Sequence, residues 1–345
     1  MATNTVQHAK GVANDLLDKG YTDATEQVMR ALLRNHTTGI MEQRLNEFQA
    51  EAQRLADEGK KMTADNAVFR ALMADFETTL KRDAGMVDGA SGDAQAAGVD
   101  AGGVLSRQLS LPGLDDAQLA AIGIHWNRPD PEAINQVVNY INSEAWQAEI
   151  SGFGDDIMDA ALNTVLGGIA EGKGPLATAR ELRALNENLP LYQANNLLRT
   201  LQLTSYRDAT SLYYAANSDI IVKQIRIGTL DTRICLCCLG LHGTEMPVGE
   251  RVDDHHQGRC TSIGIVKWRE WNVQTGQDYW NKLDDAQQLE LAGYANYQAL
   301  KSGAVKLQDF VQPYKDPVFG DMVREASLKG ILGTAAQNYY KNQPA

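Results

Sequence analysis

No run of about 18 apolar residues occurs in the 345-residue sequence, which excludes a membrane-crossing helix. Met1 to Asp15 lacks the apolar stretch of a secretory signal peptide, so we expect a protein made in a cytoplasm without an export leader. Positive charge is also scarce. The 32 Lys and Arg stand against 44 Asp and Glu, a formal charge of -12. Sheathing nucleic acid needs clustered positive charge, and the chain as a whole has the wrong sign. A local basic patch is all that is left open. Phosphate-cradling GxxxxGK[ST] and GxGxxG loops are missing, as is a GxSxG elbow, wherever a strand–turn–helix context would give them meaning. There is no HExxH, and no ExE pair follows residue 260, so no catalytic set is read and the protein is not expected to be an enzyme. Cysteine is the scarcest informative residue. There are four, all between Cys235 and Cys260, and such clustering points to a metal or redox site more than to core filler.

What is present reads mainly as helix, with one small β element. At roughly 100–200 residues per domain the length suggests about two domains. Residues 1–87 form a helical region. Asp23 followed by Glu26 has the form of a capping box, and Met41, Leu45, Phe48, Ala52 and Leu55 recur at helical spacing. Residues 88–108 read as a flexible Gly/Ala/Asp linker, since five of the sixteen residues 88–103 are glycine and no apolar period is seen. A second helical region spans 109–219. Asp130-Pro131 signals a helix start, followed by a face of Ile134, Val137, Val138, Ile141 and Ala145. Gly174-Pro175 opens another helix, and Pro190 a longer one whose stripe runs from Leu191 through Leu198, Leu201, Ser205 and Ala209 to Ala216. Ile220–Leu230 and Thr261–Trp268 are β-branched and read as antiparallel strands within a β-rich element at 220–270. Short helices are expected from 271 to 345, the last near Asp321–Leu332, with a frayed tail after Asn338.

The chemistry lies between the two strands. Cys235-x2-Cys238 can present two thiolates to one ion, and, with seventeen residues between the halves, His256-x3-Cys260 can present an imidazole and a thiolate. Zinc takes four such donors in a tetrahedron, whereas soft sulfur and nitrogen ligands do not suit magnesium or calcium. Cys237 is an extra thiol, and either His255 or His256 could supply the nitrogen. A reduced cluster of buried thiols and a redox pair are the rival readings. Four protein ligands leave no open position for water, so a zinc ion here is structural. A His-rich nuclease finger would need a histidine after His256, and none follows. His8, His36 and His125 read as surface or satisfied core residues. Trp268, Trp271, Tyr279 and Trp280 read as core or interface rather than a base-stacking platform. Asp231 and Arg233 either orient the first loop as a salt bridge or lie plainly on the surface.

The order of these residues resembles the phage Mu protein F-like minor head proteins, the head-morphogenesis family of tailed bacteriophages. That family carries a helix with an Arg-Thr pair, then a strand, a D-x-R-T-C-x-x-C-x-x-L-D-G-like loop, and an H-x-x-C-R-C-like closure entering a second strand. Arg199-Thr200, Asp231, Arg233, Cys235, Cys238, Leu241, Gly243, His256 and Cys260 take those places, and Thr275-Gly276, Trp280, Gly293, Tyr297 and Ser302-Gly303 resemble its C-terminal stretch. The similarity covers about residues 170–330. Ile234 stands where Thr is usual, His242 replaces an acidic residue, Asp253-Asp254 replaces Pro-Pro, and the closure is one residue longer. The resemblance implies a C-terminal α+β head-morphogenesis domain whose zinc ligands are Cys235, Cys238, His256 and Cys260. It implies a minor capsid protein of the virion, acting in viral assembly at or near the portal, with portal, major capsid or scaffolding proteins as partners. It further implies residence inside the phage head with contact to packaged DNA, and in some members DNA ejection carries the protein out. A zinc-bearing nucleic-acid module and a phage-delivered effector enzyme are the alternatives.

Overall fold

The computed structural model describes residues 25–111, 113–171, 173–268 and 273–341. The capping-box residue Asp23, along with His8, Trp271 and the last four residues, lies outside them. The described chain is mostly helical with a small antiparallel sheet. It divides into two compact units that are each discontinuous, one drawn from 25–94 and 140–199, the other from 95–139 and 200–341. The contiguous blocks expected from the sequence are therefore replaced by interleaved ones.

The first unit contains α1 (25–37), α2 (Gly39–Asp57) and the start of α3 (Ala67–Ser110). The stripe Met41, Leu45, Phe48, Ala52 and Leu55 is buried, as its spacing predicts. It packs on Phe69, Leu72, Phe76 and Leu80 of α3 in one core. His36 is a satisfied core residue. Its Nδ1 lies 2.8 Å from Asn186 Oδ1 and its Nε2 2.5 Å from Asp83 Oδ2.

The largest correction concerns residues 88–108, which are not a linker. α3 runs unbroken from Ala67 to Ser110. Val87, Ala90, Ala94, Ala101, Leu105 and Leu109 are buried, a helical stripe half of which is alanine and so easy to miss by hydropathy. Two of the glycines serve close approach. A Cβ at Gly98 would stand 2.2 Å from the Gln202 carbonyl oxygen, and one at Gly102 2.7 Å from Ala209 Cβ. Only a residue without a side chain lets those backbones meet.

α4 (Asp116–Ala121) and α5 (Pro131–Val137) follow. Asp130 caps α5 as expected, its carboxylate accepting from the Glu132 N–H. The helix stops at Val137, so the face projected to Ile141 and Ala145 is split between α5, a 3-10 turn at Tyr140–Asn142 and α6 (Glu144–Ser151). α7 (Asp155–Ala170) returns to the first unit's core. α8 (Pro175–Ala216) is a single 42-residue helix with Pro190 inside it. Pro190 was expected to start a helix, and the helix instead runs through it at the loss of one backbone hydrogen bond.

Residues 200–211 of α8 are buried on every side, although they include Thr200, Gln202, Arg207 and Asp208. A helix buried all round must find partners for such groups, and here they carry the sheet and the loop beyond it. The two expected strands are β1 (Ile221–Ile227) and, after α9 (Leu236–Leu241) and the two-residue β2 (Glu245–Met246), β3 (Thr261–Val266). β1 is central and antiparallel to both neighbours, with Ile225 opposite Ile263 and Arg226 opposite Ser262.

The C-terminal region holds α10 (Gly276–Trp280), α11 (Asp285–Ala292) and α12 (Tyr294–Lys301). The expected helix near Asp321–Leu332 is corrected to a hairpin of β4 (Val311–Asp316) and β5 (Gly320–Glu325), followed by α13 (Leu328–Leu332) and α14 (Gln337–Tyr340). The turn forms because Gly320 takes φ +75° and the Asp316 carboxylate accepts from the Val318 and Phe319 N–H groups. No described helix is long and apolar enough to cross a membrane.

Candidate metal centre

Two loops of the second unit bring the cysteines together. The first leaves β1 at Gly228, whose N–H donates to His242 Nδ1 at 2.9 Å. It turns so that Cys235 becomes the N-cap of α9, where its sulfur accepts from the Cys238 N–H at 3.2 Å. A thiolate at a helix start is favoured by the unpaired N–H groups there. Hydrogen bonds from Cys237 and Cys238, and then His255, hold the Cys235 thiol far below its usual range. Its sharing with Cys235 and Cys260, together with burial, pushes Cys238 up.

The second loop is built around Asp254, whose side chain is fully buried. Its Oδ2 accepts from Arg207 Nη2 at 3.0 Å and from the Cys260 N–H at 2.9 Å. Its Oδ1 accepts from the His255 N–H at 3.0 Å and faces the Cys238 sulfur at 3.4 Å. Arg207, from the buried part of α8, also donates to the carbonyls of Cys260, at 2.9 Å, and Gly258. Gly258 is required, since a Cβ there would lie 2.3 Å from the Asp254 carboxyl group. The Thr200 hydroxyl accepts from the Gln257 N–H at 3.0 Å, and Gln257 takes φ +56°.

This arrangement corrects the assignment of the imidazole. His255, not His256, faces the thiols, with its Nε2 3.5 Å from the Cys235 sulfur and 3.4 Å from that of Cys238. Its Nδ1 sits 2.8 Å from the His256 carbonyl oxygen. Donating there fixes the proton on Nδ1 and leaves Nε2 free as a ligand, the usual support for a metal-bound histidine. His256 points the other way, its Nε2 2.9 Å from Asp316 Oδ2 and its ring edge-on to Phe319. The chain turns at His256 and Gln257, so the two rings face different ways, and sequence spacing alone did not say which of them met the thiols.

Two overlapping sets of donors result: Cys235, Cys238 and His255, and Cys238, Asp254 and Cys260, each within 4.8 Å. This Cys/His cluster can hold a metal ion. Sulfur at about 2.3 Å and nitrogen at about 2.0 Å from a tetrahedral ion lie about 3.5 Å apart, which matches the spacing of His255 from both sulfurs. A cavity of about 140 Å³ adjoins the group, and Thr229, Arg233 and Arg259 also line it. Asp231 is clamped by Arg259 through two bonds of 2.7 Å, while Arg233, 3.3 Å away, is mostly exposed. Sequence reasoning singled out Arg233 and overlooked Arg259, Arg207, Arg226 and Asp254. Only Arg226, a charge between two isoleucines of a strand, carried a signal; Arg207, Asp254 and Arg259 lie in polar stretches where nothing marks them.

The remaining candidates are dispersed. His125 is exposed, Trp268 is half-exposed, and Tyr279 and Trp280 pack in the core beside Leu239. Glu245 pairs with Lys223 at the surface. No family model, curated protein or solved structure matches this chain.

Proposed function

We propose that the cluster is a structural zinc site held by Cys235, Cys238, His255 and Cys260, in a minor head protein of a tailed bacteriophage. The observation that supports the zinc reading is the orientation of His255, whose ring is locked by one nitrogen while the other faces two thiols. Asp254 is the weaker fourth ligand because both its oxygens already serve N–H donors. Zinc is favoured over harder ions by the three sulfurs, and its place here is to pin the α9 loop to the loop entering β3. Structural zinc contributes folding free energy directly. Chelation is therefore expected to lower the melting temperature, and Cys238→Ser to do the same without chelator. Zinc content measured on the purified protein, with melting curves with and without chelator, checks this; one bound zinc is the expected result, and an unchanged melting curve defeats it.

The head-protein reading is supported by the order of residues along the chain: an Arg-Thr pair on a helix, a strand, the Cys-x2-Cys loop, and a His-to-Cys closure entering a second strand. On this reading the protein is not an enzyme. It acts in head morphogenesis at or near the portal, beside portal, capsid or scaffolding proteins and the packaged DNA. Quantitative mass spectrometry of purified particles, before and after triggered DNA release, is the test. A few copies per particle that disappear on release mark an ejected head protein, and retention marks a fixed one. Absence from particles and from portal pull-downs removes the reading and returns attention to a nucleic-acid module or effector.

A further inference from the structure

We infer that Arg226 is a positioning residue of the metal centre, donating N–H groups to the ligand sulfurs and balancing their charge when a divalent ion is bound. The inference rests on the zinc reading above.

Arg226 projects from the central strand β1, and its side chain is 5% exposed. One nitrogen, Nη1, donates to the Asp253 carbonyl. Nε and Nη2 are buried and have no hydrogen-bond partner. Burying a charged donor unpaired is among the costliest arrangements a fold can hold, so an acceptor is called for. Asp254 is the nearest carboxylate, but its Oδ1 stands 3.6 Å from Nη2 and both its oxygens already serve closer donors. Cys260 and Cys238 are the sulfurs nearest in influence to the guanidinium, and Cys260 and Asp254 act first to keep it charged against the cost of burial. A protonated thiol is a weak acceptor, whereas a metal-bound thiolate accepts well. Metal-bound thiolates would supply the acceptors that the buried Nε and Nη2 of Arg226 lack.

The charges agree. Arg207 and Arg226 against Asp254 leave one net positive charge. A zinc dication held by three thiolates and a neutral imidazole carries one net negative charge. With these parts together the buried centre is neutral as a whole, a state that a low-dielectric interior accommodates. Arg207 cannot play the same part, because its Nε and Nη2 are committed to Cys260, Gly258 and Asp254.

The test uses the full chain loaded with Co2+, whose sulfur-to-metal charge-transfer band reports on the thiolates, and zinc affinity measured by chelator competition. Hydrogen bonds to a thiolate stabilise its lone pairs and raise the energy of that band. Arg226→Met is expected to move the band to lower energy and to weaken zinc binding at least tenfold. Arg226→Lys keeps the charge but loses the fork of donors. It is expected to show the band shift with affinity within a few-fold of the parent, and it keeps the test decisive should the methionine variant fail to fold. An unmoved band in a metal-loaded variant overturns the role of Arg226 and leaves the zinc reading standing. Failure of the parent chain to bind Co2+ or zinc overturns both.

Discussion

At the residue scale the two adjacent histidines divide their work. His255 faces the thiols, and His256 ties the same loop to the β4–β5 hairpin through Asp316. The two substitutions are expected to separate. His255→Ala abolishes stoichiometric zinc. His256→Ala retains the metal but costs about 1–2 kcal/mol in denaturant unfolding, since it leaves the largely buried Asp316 carboxylate short of a partner. A second expectation concerns Asp231. The bidentate Arg259 holds its carboxyl at about 2 against an ordinary 3.8. A lowered value in the folded state means that the stabilisation is full above pH 3.8 and is lost as the pH falls through 2. Asp231 is about a third exposed, so solvent screening limits the effect to about 1 kcal/mol. Asp231→Asn should therefore trail the parent protein at pH 6, and the gap should close between pH 4 and pH 2 when urea midpoints are compared.

At the element scale α3 teaches the most. Glycine, alanine and aspartate in mixture read as a flexible tether, yet here they form the middle of a 44-residue helix. The glycines are not equivalent. Gly85 has open space around its Cα, whereas Gly98 lies against the Gln202 backbone. Gly85→Ala is expected to raise stability by about 0.5–1 kcal/mol through helix propensity. Gly98→Ala is expected to lower it by about 1–3 kcal/mol through overpacking. Thermal melting of the two variants decides the matter, and equal shifts would mean that the close approach plays no part. Limited proteolysis should spare 88–108, because a packed helix offers a protease no extended chain.

At the scale of the whole molecule, each unit is assembled from chain segments far apart in sequence, and the metal cluster lies wholly within the second. Hydrogen exchange with and without chelator should therefore change most over 228–260. A uniform response across all described helices would contradict a locally acting staple.

Much of this was determined by the sequence alone. The α2 stripe, the cap at Asp130, the two strands and the thiol pair at Cys235 and Cys238 follow from spacing, since each depends on neighbours within one or two turns of chain. The choice of His255 over His256, the helix across 88–108 and the hairpin at 311–325 came only from the tertiary structure. So did the buried charges Arg207, Arg226 and Asp254. These depend on which distant backbone arrives next to them. An imidazole turns toward thiols only once Asp254 has set the loop, and a glycine becomes a contact only when a second helix lies against it.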